Sequence, residues 1–458
     1  MKKFLVSYLF IMSTFILLLS YAGCSGGTET PDASTEKGSI YVKGLFDLTG
    51  ATSDVGNSYH KGILDSIREV NSKGGIKGYK IEIEWKDYAY KADKAVAFYD
   101  EWKKDSAKWS KVVSIFGWGT GDSVSLSPTV AKDKIPYISA SYAGSLGSPK
   151  PVTKSVDLPD GKKHEVATKG APYNFFAGAD YSTSIRLAMQ FIKNSGGKKV
   201  IFAYCSVGYC TDPIPAGKTY AKKLGLEIAE DLKVELSYSG KDTKEELTKA
   251  VEAYLAKNSF KEDDKVWVWS GNTIKTAVFT VQALAKSDKA PKNIKIISNV
   301  WGFDETATKR CKDGWSGKDN PCTDRFFGIM PFASFGDLAF PGMKDLMVLH
   351  KKSRELDKED KGLYADVRYV QGYVSFYIWR KAVEKLIDEK KEITGPNIKE
   401  AFESFTKLST GGLTFPLSFS ASDHRPSSGT LIYSVKSDEK LDYKGEESIK
   451  LSEDWKGW

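Results

Sequence analysis

This 458-residue chain predicts an α/β protein with parallel sheets, divided into two domains. Three observations carry that prediction. From Ser39 onward short apolar runs alternate with segments of helical period, an order that builds a parallel sheet covered by helices. After a break, the same alternation resumes at Tyr181. About 420 residues follow the N-terminal segment, more than a single core ordinarily serves, and the apolar fraction of 41% is enough to fill two.

The elements follow in order. Ile40 to Phe46 reads as a strand, and Asp47-Leu48-Thr49-Gly50 as its exit loop. Gly56 to Val70 reads as a helix, because Ile63, Leu64, Ile67 and Val70 recur at helical spacing. The glycines of residues 74–78 turn the chain into a strand from Tyr79 to Trp85. Ala89 to Lys103 is a second helix, Val112 to Phe116 a third strand, and Ile135 to Ile138 a fourth. Tyr181 to Asn194 is a helix stopped by Gly196-Gly197. Strands at Val200 to Tyr204, Val266 to Trp269 and Ile294 to Ile297 continue the series, with a helix over Gly217 to Leu224. A late helix, Tyr369 to Ile387, is apolar and aromatic on one face, and residues 412–441 alternate like strands around a polar turn. Residues 144–170 are rich in Gly, Pro and Lys without periodicity. They read as a long insertion, either a disordered surface excursion or a flap over a cleft.

The N-terminus points to export. Lys2 and Lys3 precede an apolar run from Phe4 to Leu19, and Tyr21-Ala22-Gly23 then leads to Cys24, the pattern of a secretory signal over residues 1–23. That ending resembles the lipobox of bacterial lipoproteins, which implies lipidation of Cys24, although Tyr21 stands where an aliphatic residue is usual. Simple secretion and an uncleaved anchor are the alternatives. Residues 24–38 then form a lipid-anchored flexible tether, and the protein is expected in the periplasm or at the cell surface. The other four cysteines fall into two local pairs, Cys205 with Cys210 and Cys311 with Cys322. An exporting compartment favours two disulfides over free buried thiols. No histidine lies near either pair, so no metal site and no cofactor is expected. The net charge of +8 is mild for this length, and no basic tract interleaves with aromatics, which excludes nucleic acid as a partner.

Two strand ends stand out. Val112 to Gly117 runs into Trp118-Gly119-Thr120-Gly121-Asp122-Ser123, and Ile135 to Ile138 into Ser139-Ala140-Ser141-Tyr142. Ligands of parallel sheets bind beyond the carboxyl ends of strands. Small residues there let a ligand approach the backbone, and hydroxyls with amides can hold a carboxylate without a full positive charge. Thr120, Gly121, Ser123, Ser139, Ala140 and Ser141 are therefore candidate ligand-binding residues. Trp118 and Tyr142 either wall the ligand or pack against residues 144–170. Tyr209, in the loop after Tyr204, and Asn272 and Asp304, at later strand ends, complete the candidates. Asp304 and Asp122 read equally well as cap or surface acids.

Residues 42–83 resemble the opening of the type I periplasmic binding proteins, most closely the solute-binding lipoproteins of branched-chain amino acid ABC importers. The family's "PLTG" loop is matched by Asp47-Leu48-Thr49-Gly50, its "KG" and "EVN" by Lys61-Gly62 and Glu69-Val70-Asn71, and its "GGI-G" by Gly74-Gly75-Ile76 and Gly78. Ile135-Pro136-Tyr137-Ile138-Ser139, Tyr173 to Phe176, Gly411 to Phe415 and Phe419 to Arg425 fall where further family motifs lie. The resemblance implies two Rossmann-like lobes joined by three crossovers around a ligand cleft. One lobe would span 39–175 plus 333–409, the other 176–332 plus 410–458. It also implies a monomer that captures an amino-acid-like or small amphipathic carboxylate ligand by lobe closure and delivers it to an ABC permease complex in the membrane. A sensing receptor on the same fold and a structural lipoprotein without a ligand are the alternatives. The rebuilt loop 205–217 argues against plain leucine or valine recognition. Neither a dinucleotide fingerprint, a P-loop nor a nucleophile elbow is present, so no enzyme is expected.

Overall fold

A computed structural model describes residues 37–239, 241–436 and 440–458. The expected signal peptide, Cys24 and most of the tether lie outside these residues. Among the described residues no helix is long and apolar enough to cross a membrane, and no group of three metal-ligating side chains occurs.

The first lobe opens with β1 (Gly38–Phe46), α1 (Ser53–Ser72), β2 (Tyr79–Asp87), α2 (Ala92–Lys104) and the short α3 (Ser106–Trp109). It continues through β3 (Val112–Gly117), α4 (Thr120–Asp133) and β4 (Tyr137–Ser139). β5 (Val152–Asp157) and β6 (Lys163–Thr168) form a hairpin of their own, and β7 (Asn174–Phe175) closes the sheet. The strand order is β2-β1-β3-β4-β7, all parallel. Val55, Tyr59, Ile63 and Ile67 of α1 share a buried face, as their spacing dictates.

After β7 the chain crosses to the second lobe, where Asp180 caps α5 (Tyr181–Asn194) by accepting from the Thr183 amide at 2.8 Å. β8 (Lys199–Tyr204), α6 (Gly208–Thr211), α7 (Ile214–Lys223), β9 (Glu227–Ile228), β10 (Leu232–Lys233) and α8 (Thr243–Lys257) follow. Then come β11 (Val266–Gly271), α9 (Ile274–Lys286), β12 (Lys295–Ser298), α10 (Ala307–Lys312) and β13 (Phe326–Met330). The chain returns to the first lobe for α11 (Pro341–Asp357), α12 (Val367–Asp388) and α13 (Gly395–Glu403), which pack on α1, β3 and β4. It crosses once more to β14 (Gly429–Val435) and β15 (Leu441–Ser448). The second sheet runs β10-β8-β11-β12-β13-β14-β15, with β9 also paired to β8. Its core is parallel, but β14 and β15 join antiparallel.

α1 and α12 touch at two glycines. A Cβ on Gly62 would lie 2.4 Å from the Tyr369 carbonyl oxygen, and one on Gly372 would lie 2.1 Å from that of Tyr59. Only glycine permits backbones this close.

Three expectations need correction. Residues 120–123, read as a loop, are the first turn of α4. Their Gly and Ser, with Pro128 further on, mask the helix, which closes at Lys134 in the left-handed region, φ 58°. Residues 144–170 are ordered rather than an excursion, with β5 and β6 pairing antiparallel. The hairpin packs on the C-terminal segment, where Lys154 Nζ donates to the Lys456 carbonyl at 2.9 Å, and none of it lines the cleft. Of the expected alternation over 412–441, only β14 is a full strand before residue 437. The stretch before it makes isolated bridges such as Leu408–Leu417.

Candidate functional site

The carboxyl ends of β1, β3 and β4 face those of β8, β11 and β12 across a narrow cavity of ≈ 10 Å³, room for about one water. The first lobe contributes Thr52, Val55, Tyr90, Trp118, Gly119, Thr120 and Ala140, and the second Tyr181, Tyr209, Thr273 and Trp301. Five of these eleven carry large aromatic rings, and none carries a formal charge.

Each ring is fixed by what the local chain does with its polar atoms. Asp47, buried at the end of β1, accepts from the Thr52 amide at 2.9 Å and the Thr52 hydroxyl at 2.7 Å. Thr52 Oγ1 in turn accepts from Trp118 Nε1 at 2.8 Å, which sets the indole plane. Trp118 then meets Tyr59 at 5.2 Å and, across the cleft, Trp301 at 5.0 Å between ring centroids. Trp301 Nε1 donates to Tyr181 Oη at 2.7 Å. Behind it Tyr142 lies parallel to the indole at 5.7 Å. Arg368 places its guanidinium 5.4 Å from the Trp301 ring and donates to the Phe303 carbonyl at 2.9 Å. Such aromatic contacts each add about 0.5–1.5 kcal/mol beyond burial.

The expected anion grip is already occupied by the protein itself. At the start of α4 the Gly119 amide donates to Tyr88 Oη at 3.1 Å. Tyr88 and Tyr137 each donate to Asp122 at 2.6 Å. Burial raises the Asp122 carboxyl to about 6 against these two bonds, which lower it. Asp122 is therefore a structural acid inside the first lobe.

Of the other candidates, Thr120 and Ala140 line the cavity, and the Thr120 hydroxyl pairs with Ser141 Oγ at 2.9 Å. The two hydroxyl-bearing strand ends are thus tied to each other. Ser139 Oγ accepts from the Ser141 amide at 3.3 Å, and Ser123 donates back to the Gly119 carbonyl at 2.5 Å. Gly121 faces solvent. Tyr142 backs the wall without lining it. Asn272 is buried beneath the cavity, while Asp304 accepts from the Thr306 amide at 2.8 Å and meets Arg368 Nη2 at 3.5 Å. Of the lining residues, reading the sequence gave no site role to Thr52, Val55, Tyr90, Gly119, Tyr181, Thr273 or Trp301. Their common signal is position just beyond a strand or at a helix start.

Disulfides join Cys205 to Cys210 and Cys311 to Cys322, with Cα–Cα distances of 5.4 and 6.1 Å. The first holds α6, and so Tyr209, against the cavity. Serine at both Cys205 and Cys210 is expected to cost about 2 kcal/mol of stability and to weaken ligand binding. The same change at Cys311 and Cys322, which line no part of the cavity, should leave affinity unchanged. Equal affinity losses in both variants, read by calorimetry, would refute the local role.

Glu305 ties the lobes together. It accepts from Ser334 Oγ at 2.6 Å, from the Phe335 amide, and across the cleft from the Val367 amide at 2.9 Å. Burial first, then Asp304 and Asp366, push its carboxyl up to about 7. Arg368 stands near both of those acids, and Tyr433 lies on its second-lobe side. An acid with a raised pKa takes up its proton in the closed body at a pH where a solvated carboxyl, near 4.3, is still ionised. Acidification from pH 8 to 5 is therefore expected to favour closure and tighten ligand binding, and Glu305→Gln to flatten that slope. Titrations across this range check the sign, and wild-type affinity that falls with acid would contradict it.

A two-lobed α/β body with a cavity walled from both sides is the architecture of a binding protein. A model of the periplasmic binding protein family matches residues 39–440, and the chain belongs to that family. Among solved structures it is similar to a substrate-binding protein of an ABC transporter from Aeropyrum pernix. That pair is 28% identical over 91% of this chain and 97% of the other, with a TM-score of 0.73. The fold also matches a fatty acid ABC transporter substrate-binding protein from Thermomonospora curvata, 21% identical over 93% and 95% of the two chains, TM-score 0.67. A third match is a branched-chain amino acid ABC transporter protein from Thermus thermophilus with bound valine, 18% identical over 91% and 98%, TM-score 0.70. No curated protein sequence gives a significant match.

Proposed function

We propose that this protein captures a small amphipathic solute between its lobes and delivers it to an ABC permease, held at the membrane by a lipid on Cys24. The observation that carries the reading is the cavity itself, whose aromatic walls come from both lobes and are complete only when the lobes meet. A ligand that touches both sets of rings binds the closed form better and shifts the open–closed balance toward it. Support for the family's transport role comes from the Aeropyrum pernix relative, described as an ABC transporter substrate-binding protein. Once the lobes part to admit a ligand, the apolar lining suits the body of an amino-acid-like solute. The cavity offers a carboxylate no charged partner among its lining residues, so a plain carboxylate is the less favoured part of the expectation.

The test is native mass spectrometry of the full-length protein released gently from detergent, then denaturation to identify any bound molecule. A stoichiometric small solute supports capture. A bare protein mass, together with no thermal shift from a broad panel of amino acids, amines, amides and carboxylates, would refute it.

A further inference from the structure

We propose that the amino-terminal end of the first sheet is a docking face for an anionic lipid surface, an inference that rests on the membrane-anchored reading above and deepens it. The strands of this sheet are parallel, so β1, β2 and β3 all begin on one face and run from it toward the cleft. The chain enters the described body there. Lys37 precedes β1, and its amide donates to the Gly78 carbonyl at 2.9 Å. A groove of ≈ 710 Å³ opens beside it, between the starts of these strands and the chain that follows α12. Tyr41, Tyr79, Ile387 and Ile393 give it half-buried, largely apolar walls. Lys37, Lys111, Lys390 and Lys391 stand exposed along its edge.

The charge on this face is one-sided. Its acids are mostly paired already: Asp388 with Lys77, Glu389 with Lys385 at 2.7 Å and Lys391 at 3.0 Å, and Asp105 with Lys108 at 3.2 Å. Glu392 is the one acid lining the groove. Lys37, Lys111 and Lys390 form no ion pair among the described residues, and the Lys111 ammonium lies 5.6 Å from the Tyr41 ring. Lys104 and Lys134, at the ends of α2 and α4, add two more exposed cations at the same end of the lobe. Lysines at helix C-termini offset the helix dipole, which accounts for Lys104, Lys134 and Lys390. It leaves Lys37 and Lys111, which precede strands.

Two arguments select a membrane as the occupant. The chain from Cys24 to Lys37 measures at most about 45 Å when fully extended, so a lipid on Cys24 keeps this end of the first lobe within reach of the bilayer. A single lipid chain holds a protein weakly, and a basic patch supplies the second signal that makes anchoring stable. The walls fit the same occupant, since lysine and tyrosine bury apolar stems while their polar tips meet headgroups. A body resting on this face holds its cleft off the lipid and clear for solute.

Amine-acylation footprinting of the full-length protein tests this, in nanodiscs of phosphatidylcholine alone and of phosphatidylcholine mixed equally with phosphatidylglycerol. In the anionic discs acylation of Lys111 and Lys390 is expected to slow about fivefold, the equivalent of about 1 kcal/mol per lysine. Lys91, exposed at the opposite end of the same sheet, and Lys289, on the second lobe, should keep their rates. High salt should remove the difference, and Lys111→Glu combined with Lys390→Glu should return Lys391 to its rate in neutral discs. Equal rates at Lys111 and Lys390 in the two discs would overturn the proposal, as would equal slowing at Lys91. Slowing that arises only once the permease is added would overturn it in favour of a protein partner. The intact mass decides the lipid on Cys24 separately. Slowing in a chain with unmodified Cys24 upholds the face and removes the anchor, whereas a lipidated chain without slowing removes the face and keeps the anchor.

Discussion

Trp301→Ala is expected to abolish measurable ligand binding and to lower stability by about 3–5 kcal/mol, the usual cost of emptying a buried tryptophan site. The indole is 4% exposed and occupies the junction of four groups. It meets Trp118 from the other lobe, lies parallel to Tyr142, donates to Tyr181 and carries Arg368 on its ring. Truncation removes these contacts and leaves Tyr181 Oη without its donor. Trp301→Phe separates the two effects. It retains most of the apolar wall and should recover part of the stability, while losing the hydrogen bond that orients Tyr181. Urea unfolding beside ligand titration reads both quantities. An alanine variant that still binds with wild-type affinity would remove Trp301 from the site.

Arg354→Ala carries the second large effect and involves no ligand. Arg354 is 0% exposed and joins α11 to α1 through Asp65, with further ion pairs to Glu359 at 2.7 Å and Asp357 at 3.5 Å. Tyr369 of α12 donates to the same Asp65 carboxylate at 3.0 Å, and Arg68 approaches it at 2.9 Å. Burial alone raises the Asp65 pKa, and Arg354 is the foremost influence opposing that rise. Removing the arginine strands a buried carboxylate, for which a loss of about 3–5 kcal/mol is expected. The loss should shrink as pH falls from 7 toward 4, because a carboxyl with a raised pKa is neutralised early in the folded state and its desolvation then costs little. Pairing Arg354→Met with Asp65→Leu should restore much of the stability, since the pair as a whole contributes far less than either broken half. A small, pH-independent loss in Arg354→Ala would show that Asp65 is adequately held by Arg68 and Tyr369.

Much of the scaffold was legible in the chain because periodicity is a local signal. The strand from Ile40 and the helix through Ile63 and Ile67 declare themselves within a few residues, and the observed β1 and α1 differ from the expected spans mainly at their ends. α4 was not legible, because Gly121, Ser123 and Pro128 carry loop-like propensities that the packing of Leu126 and Val130 overrides. The site was legible in part. Trp118, Thr120, Ala140 and Tyr209 sit just past strands and do line the cavity. Tyr90 and Tyr181 lie 91 positions apart and meet only where the two lobes come together, which no local pattern encodes. The hydroxyl-rich strand ends were read as waiting for an anion. In the folded chain Tyr88 already takes the Gly119 amide, and Thr120 already holds Ser141. Hydrogen-bond donors in a sequence do not disclose whether the protein consumes them itself.

The glycine contact between α1 and α12 bears on how the molecule moves. With Gly62 and Gly372 nested backbone to backbone, these two helices have no side-chain layer on which to slide. Thr52 and Val55 at the head of one, and Asp366 and Arg368 at the head of the other, are therefore expected to travel as a single jaw. Opening then falls to the three connecting strands of chain, as rotation about a hinge rather than shear within a lobe. An added methyl at either glycine would pry that jaw apart from its root, loosening the grip on a ligand that the substituted residue never touches.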